Sequence, residues 1–179
     1  MAFESEITIV AMAGPVTDER AGALLQRYRE RFGGQDLPVP VESIAEDLLG
    51  LSVEEIELQV SGLLLPAEKR IFANAGEPAP RRRFTLAHEI GHWVCQCLEG
   101  RSAAMIYCRA QDVTLDVTDR AFEREANVFA AELLMPETTL RSSFAQRPDL
   151  ADLATRFDVS TVAMQWRLYN FGLVTEPPA

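Results

Sequence analysis

Arg82-Arg83-Phe84-Thr85-Leu86-Ala87-His88-Glu89-Ile90-Gly91-His92 is the stretch on which the reading of this chain turns. Leu86, Ile90, Val94 and Leu98 recur every four residues, which predicts a helix with one apolar row. Thr85 is the expected N-cap, and Gly100 stands just beyond the expected end near Leu98. Histidines four apart on a helix lie one above the other, so His88 and His92 can reach a single cation. Glu89 is displaced about 100° around the helix, where it can reach a metal-bound water rather than the metal. A five-residue pattern of this kind also arises by chance, but these are the only 2 histidines among 179 residues. The metal reading, with zinc as the ion, therefore prevails.

A catalytic zinc needs a third protein ligand and an open position for water. The segment from Asp119 to Leu134 reads as a helix stopped by Pro136. Phe122, Ala126, Phe129, Ala130, Leu133 and Leu134 define its apolar arc, and Glu123 falls in the middle. A carboxylate there is costly unless paired or metal-bound, so Glu123 is the expected third ligand. An ion pair with an arginine such as Arg120 is the alternative. Glu125 and Glu132 fall outside the arc and are expected to face water. Asn127, one turn after Glu123, is placed to bond the outer nitrogen of a ligand histidine and fix its tautomer.

A chain of this length can bury an ordinary core. Its apolar fraction of 47% and charged fraction of 25% are globular values, and no apolar run reaches the roughly 20 residues of a membrane span. Met1-Ala2-Phe3-Glu4-Ser5-Glu6 carries acids where a secretory signal would carry cations, so the expected location is the cytoplasm. Cys95, Cys97 and Cys108 are then expected to be reduced thiols serving as small apolar residues. The net charge of −10 repels a phosphate backbone at long range, so DNA binding is not expected.

Elsewhere the periodicity predicts helices over Thr17 to Phe32 and Val41 to Leu49. Between Ile56 and Ala75, short alternating runs predict a small antiparallel sheet: Ile56, Leu58 and Val60, then Gly62 to Leu65, then Lys69 to Asn74. Arg81-Arg82-Arg83 reads as a solvated turn, with an anion site as the alternative. Arg101 to Val117 reads as a long loop with candidate strands at Met105 to Cys108 and Val113 to Leu115. Helices over Asp149 to Phe157 and Thr161 to Asn170 flank a turn at Asp158-Val159-Ser160, a helix-turn-helix pattern. Arg167 is the only cation of its second helix, which favours packing or substrate recognition over DNA docking.

The first motif, followed by Glu123-Arg124-Glu125-Ala126-Asn127-Val128-Phe129-Ala130-Ala131-Glu132-Leu133-Leu134-Met135-Pro136, resembles the ImmA/IrrE family of metallopeptidases. The resemblance runs from about Val41 to Gly172. It implies an α+β, zincin-like fold, mostly helical, with the small antiparallel sheet beside the active-site helix. It implies zinc roles for His88, Glu89 and His92 and supports Glu123 as third ligand. It also implies a bacterial or phage protein that cuts a helix-turn-helix repressor to relieve repression, in a stress response or the induction of a mobile element.

The expected organisation is a metallopeptidase domain over residues 1–136 and a helix-turn-helix-like unit over 137–179 packed on it. Tyr107 or an arginine of the 81–83 run is expected to supply a second oxyanion donor. Lys69 to Asn74, if it borders the cleft, is a candidate for pairing with an extended substrate. Two other classes compete: a DNA-binding regulator whose zinc is structural, with Cys95 as the only local thiol to close the site, and a non-catalytic toxin–antitoxin partner.

Overall fold

The computed structural model describes residues 16–33, 37–101, 106–108 and 117–178, with residues 106–108 and 117–119 described as backbone alone. Helix α1, Glu19–Phe32, starts where the Asp18 carboxylate accepts the Arg20 N–H, two residues later than the periodicity suggests. It buries Ala21, Leu24 and Leu25. Helix α2 opens as Val41–Ser43, widens to a π turn over Ile44–Leu48, and stops at Gly50, whose φ of 68° suits a residue without Cβ.

Strands β1 (Ser52–Ile56), β2 (Gly62–Leu65), β3 (Arg70–Asn74) and β4 (Ile106–Cys108) form one sheet in the order β1-β3-β2-β4. The sheet is mixed. β2 runs antiparallel to β3, as expected, and also to β4, but β1 pairs with β3 in parallel, Val53 opposite Ile71. The reason is the link after β1. Asn74, at the end of β3, donates to the Leu58 carbonyl (3.0 Å) and accepts the Leu58 N–H (3.3 Å). This holds the link across the end of β3, so β1 lies on the far side of β3 from β2. Leu58 and Val60, expected in a strand, belong to that link, and Arg70 bridges to Glu54 on β1 at 2.7 Å. β3 is an interior strand, so it cannot accept an added substrate strand; among the described residues the sheet edges are β1 and β4.

Helix α3, Ala79–His92, begins six residues before Thr85, and Thr85 is buried inside it. Pro78 and Pro80 suit a first turn, whose N–H groups have no partners to lose. Arg81, Arg82 and Arg83 are then helical and engaged rather than a solvated turn. Arg82 reaches Glu55 at 2.9 Å and the Glu77 carbonyl at 2.7 Å; Arg83 reaches Asp158 at 3.0 Å and the Val39 carbonyl at 2.9 Å. Arg81 lies 3.7 Å from Glu77. Past His92 the helix widens to a π turn, Trp93–Cys97.

Helix α4, Val117–Leu134, packs along α3. Pro136 ends it and caps α5, Glu137–Gln146, a helix the sequence reading did not single out. Helices α6 (Leu150–Phe157) and α7 (Thr161–Asn170) follow; Asp149 caps the first through Asp152 N–H (2.8 Å) and Ser160 the second through Ala163 N–H (3.1 Å). Asp158 makes the turn with φ 54°. The candidate strand Val113 to Leu115 lies outside the described residues.

Glu132 does not face water. It is buried and paired with the buried Arg167 guanidinium of α7, which also reaches the Met135 carbonyl at 3.3 Å and the Val16 carbonyl at 2.8 Å. Periodicity placed Glu132 at the edge of its helix, and α7 covers that edge. The continuous apolar core therefore runs from Leu24 and Ile44 through Ile71, Ile90 and Phe129 to Leu153. The architecture is α+β and zincin-like, mostly helical, with the small sheet against α3. Among the described residues no helix is long and apolar enough to cross a membrane.

Candidate metal centre

His88, Glu89 and His92 sit side by side on α3, each at most 1% exposed. Gly91 permits the approach of α4: a Cβ built there would fall 2.9 Å from the Ala126 carbonyl oxygen. Glycine at this point lets the two helix backbones touch, which brings Glu123 and Asn127, on either side of Ala126, up to the histidines.

The ligand atoms of His88, His92 and Glu123 lie within 4.8 Å of one another, the one such group of possible metal ligands among the described residues. Glu123 Oε2 is 3.2 Å from His88 Nε2, and Oε1 is 3.1 Å from His92 Nε2. The two Nε2 atoms are 2.9 Å apart. Arg120 is not the partner of this carboxylate.

The outer nitrogens decide what faces inward. His88 Nδ1 meets Asn127 Oδ1 at 2.5 Å, and His92 Nδ1 meets Gln96 Oε1 at 2.5 Å. A carboxamide oxygen only accepts, so each Nδ1 carries a proton, and in the neutral ring each Nε2 turns a lone pair inward. Two lone pairs and a carboxylate then converge with no donor among them. One proton satisfies part of this arrangement; a cation satisfies all of it. The donor set, two imidazoles and a carboxylate, fits zinc. Glu123 is 28% exposed while the histidines are sealed, so the cluster opens toward solvent on the Glu123 side.

Glu89 is the unsatisfied group. It is fully buried, and neither carboxyl oxygen has a hydrogen-bond partner. Gly62 of β2 lies directly beneath it, since a Cβ there would come 2.9 Å from Glu89 Oε1 and 2.4 Å from the Thr85 methyl. Burial, with a further push from Glu123, raises the Glu89 carboxyl to about 8. Burial lowers His88, and the neighbouring His92 lowers it further. Burial also opposes the charge of Glu123, but the hydrogen bonds to His88 and His92 outweigh it and hold that carboxyl well below the usual range.

Gln96 is a residue the sequence reading missed, although its spacing showed it: residues 88, 92 and 96 continue one helical row. Glu125, expected in water, is part of the same surroundings, bonded to Gln96 at 3.3 Å, Arg101 at 2.6 Å and Arg20 at 3.0 Å. Cys95 is buried away from the cluster, its thiol pushed up to about 12 by burial, so it does not close the site. Cys97 is a half-buried free thiol. The arginines at 81–83 point to the partners given above rather than to the cluster, and Tyr107 is described only as backbone, opposite Leu63 in the sheet.

Comparison with curated proteins finds no match. Among solved structures, a Mycobacterium tuberculosis transcriptional regulator is similar, with a TM-score of 0.61 and 21% identity over 85% of this chain and 47% of that one. At that identity the likeness concerns the fold, and the chain spans about half the length of that regulator. A profile of the IrrE N-terminal-like domain, Peptidase_M78, matches residues 30–169, a span that carries α3, the sheet, Glu123 and the helices after it. On that match, the chain belongs to the IrrE N-terminal-like, Peptidase_M78 family.

Proposed function

We propose that the chain is a zinc-dependent endopeptidase in which His88, His92 and Glu123 hold the ion and Glu89 is the general base. The observation that carries this reading is the convergence of three acceptor groups beside a buried carboxylate without a partner. Membership of a peptidase family supports it. So does the lack of a fourth protein ligand among the described residues, since a structural zinc would have one.

When bound, zinc would supply a Lewis acid that lowers the pKa of water to about 7 and polarises a carbonyl. Asn127 and Gln96 keep the Nε2 lone pairs of His88 and His92 turned to the ion. Glu89 takes the proton of the attacking water on its carboxylate and delivers it to the leaving amine. Its burial over Gly62 suits that task, because a desolvated carboxylate binds a proton more strongly than a solvated one. An extended substrate would lie along the edge of the sheet, and β4 is an edge strand next to β2.

In this reading residues 1–136 form the peptidase unit, and residues 137–179 form a helical unit docked on it through Arg167 and Glu132. The substrate is a cytoplasmic protein, a helix-turn-helix repressor. The resemblance to the ImmA/IrrE family supports this. DNA binding by the tail has little support, since Arg167 is spent inside the protein. Co-expression with a neighbouring repressor gene, followed by mass spectrometry, tests the reading. One defined cut, absent with Glu89→Gln, is expected; an intact repressor under every inducing condition would discard this target.

A further inference from the structure

Gln96 is fully buried, in the π turn that begins directly after His92. A buried carboxamide is costly unless its donors and acceptor are used, and here they are. Its amino group donates to the Phe122 carbonyl at 3.2 Å and to Glu125 Oε2 at 3.3 Å, and its oxygen meets His92 Nδ1 at 2.5 Å. Both partners of the amino group are pure acceptors, so the amide has a single orientation. Were it flipped, an oxygen would face a carbonyl and a carboxylate. The oxygen must therefore face His92 and His92 Nδ1 must carry a proton, which leaves Nε2 as the nitrogen able to bind an ion.

Glu125 is itself held. Arg20, from the first turn of α1, reaches Oε1 at 3.0 Å, and Arg101 reaches Oε2 at 2.6 Å. Arg20 is tied in turn to Asp18 at 2.7 Å, and Arg101 to the Cys95 carbonyl at 3.0 Å. Three separated segments thus meet at one carboxylate two links from a ligand atom.

We propose that Gln96 is a positioning residue for His92, and that Glu125, clamped between Arg20 and Arg101, fixes the orientation of Gln96 and through it the metal-binding tautomer. This rests on the metal reading above. It adds that affinity for the ion is set partly by an ion-pair network on α1 and α4 that touches no ligand. Groups holding a ligand histidine from outside typically change metal affinity by about 10- to 100-fold when lost.

The test is zinc competition against a chromophoric chelator with the full chain, alongside melting curves of the metal-free proteins and visible spectra of the cobalt forms. Gln96→Met, of similar volume but without donor or acceptor, should bind zinc roughly 10- to 100-fold more weakly and alter the cobalt bands. Gln96→Glu keeps an acceptor toward His92, and when protonated can still donate to Phe122; it should recover most of the affinity. If Gln96→Met folds poorly, Glu125→Ala, at a partly exposed position, should by itself weaken zinc several-fold. Unchanged affinity in both Gln96→Met and Glu125→Ala would overturn the proposal, as would a Gln96→Glu variant no better than Gln96→Met. A wild-type chain that binds no zinc would instead remove the metal reading itself.

Discussion

Gly91 of α3 and Ala126 of α4 touch backbone to backbone: a Cβ at position 91 would lie 2.9 Å from the Ala126 carbonyl oxygen and 3.0 Å from its Cα. Two of the proposed ligands come from one helix and the third from the other, so this contact sets how the three side chains meet. Gly91→Ala cannot be accommodated by moving a flexible side chain, because the obstacle is backbone. It should cost roughly 1–3 kcal/mol of stability as an overpacked contact. It should also weaken metal binding, by separating Glu123 from the histidines. Melting and zinc competition on the same samples check this; a fully stable variant with unaltered affinity would mean the helices can part without consequence.

His88→Ala or His92→Ala should abolish stoichiometric zinc, since two ligands hold the ion poorly against competition. Glu123→Gln should weaken it far more than Glu125→Gln, because Glu123 faces the two Nε2 atoms at 3.2 and 3.1 Å whereas Glu125 acts only through Gln96. Metal analysis after desalting ranks the variants. A Glu125→Gln loss as large as that of Glu123→Gln would contradict the ligand assignment.

Glu89→Gln should retain metal and lose cleavage, because the base goes and every ligand stays. The metal-free protein offers a second readout. Burial raises the Glu89 carboxyl from 4.5 to about 8, so between those values the folded chain keeps a proton that the unfolded chain has released. That contribution is complete below the unfolded value and lost as pH rises through the folded one. Metal-free wild type should therefore melt progressively below metal-free Glu89→Gln as pH goes from 5 to 8.5, by a margin of several degrees. A gap that stays constant across this range would rule out an unpartnered, proton-retaining Glu89.

Arg167→Met leaves the buried Glu132 carboxylate without its cation, which should cost about 3–5 kcal/mol. Replacing both, with Glu132→Leu added, should restore most of the loss, since a buried ion pair is often no better than apolar residues of similar volume. Chemical denaturation of the wild type and the two variants measures this. Neither variant should change the salt dependence of any DNA association, because the guanidinium is 3% exposed and bound to Val16, Met135 and Glu132.

Much of the candidate site was legible in the order of residues, for a local reason. The 3.6-residue helical period places His88 over His92, puts Glu123 within the apolar arc of α4, and sets Asn127 one turn further on. None of this requires knowing what the helix packs against. The same reasoning failed for Glu132 and Glu125, because a helical wheel separates core from edge but does not reveal which edge another element covers. It failed for the start of α3 because Thr85 is a good cap in isolation. Pro78 and Pro80 are local, but the arginine contacts to Glu55, Val39 and Asp158 that support the extra turns reach distant segments.

The sequence by itself determined the row of histidines on α3, the carboxylate on α4 that could meet it, and the mostly helical α+β class, since each follows from spacing along one element. Tertiary structure alone decided the parallel pairing of β1 with β3, the burial of Arg167 against Glu132, and the clamp of Arg20 and Arg101 on Glu125 behind Gln96. Those are long-range partnerships. Any of several arginines could have met any of several acids, and only the packing of the helices around one core selects which pairs come within hydrogen-bond distance.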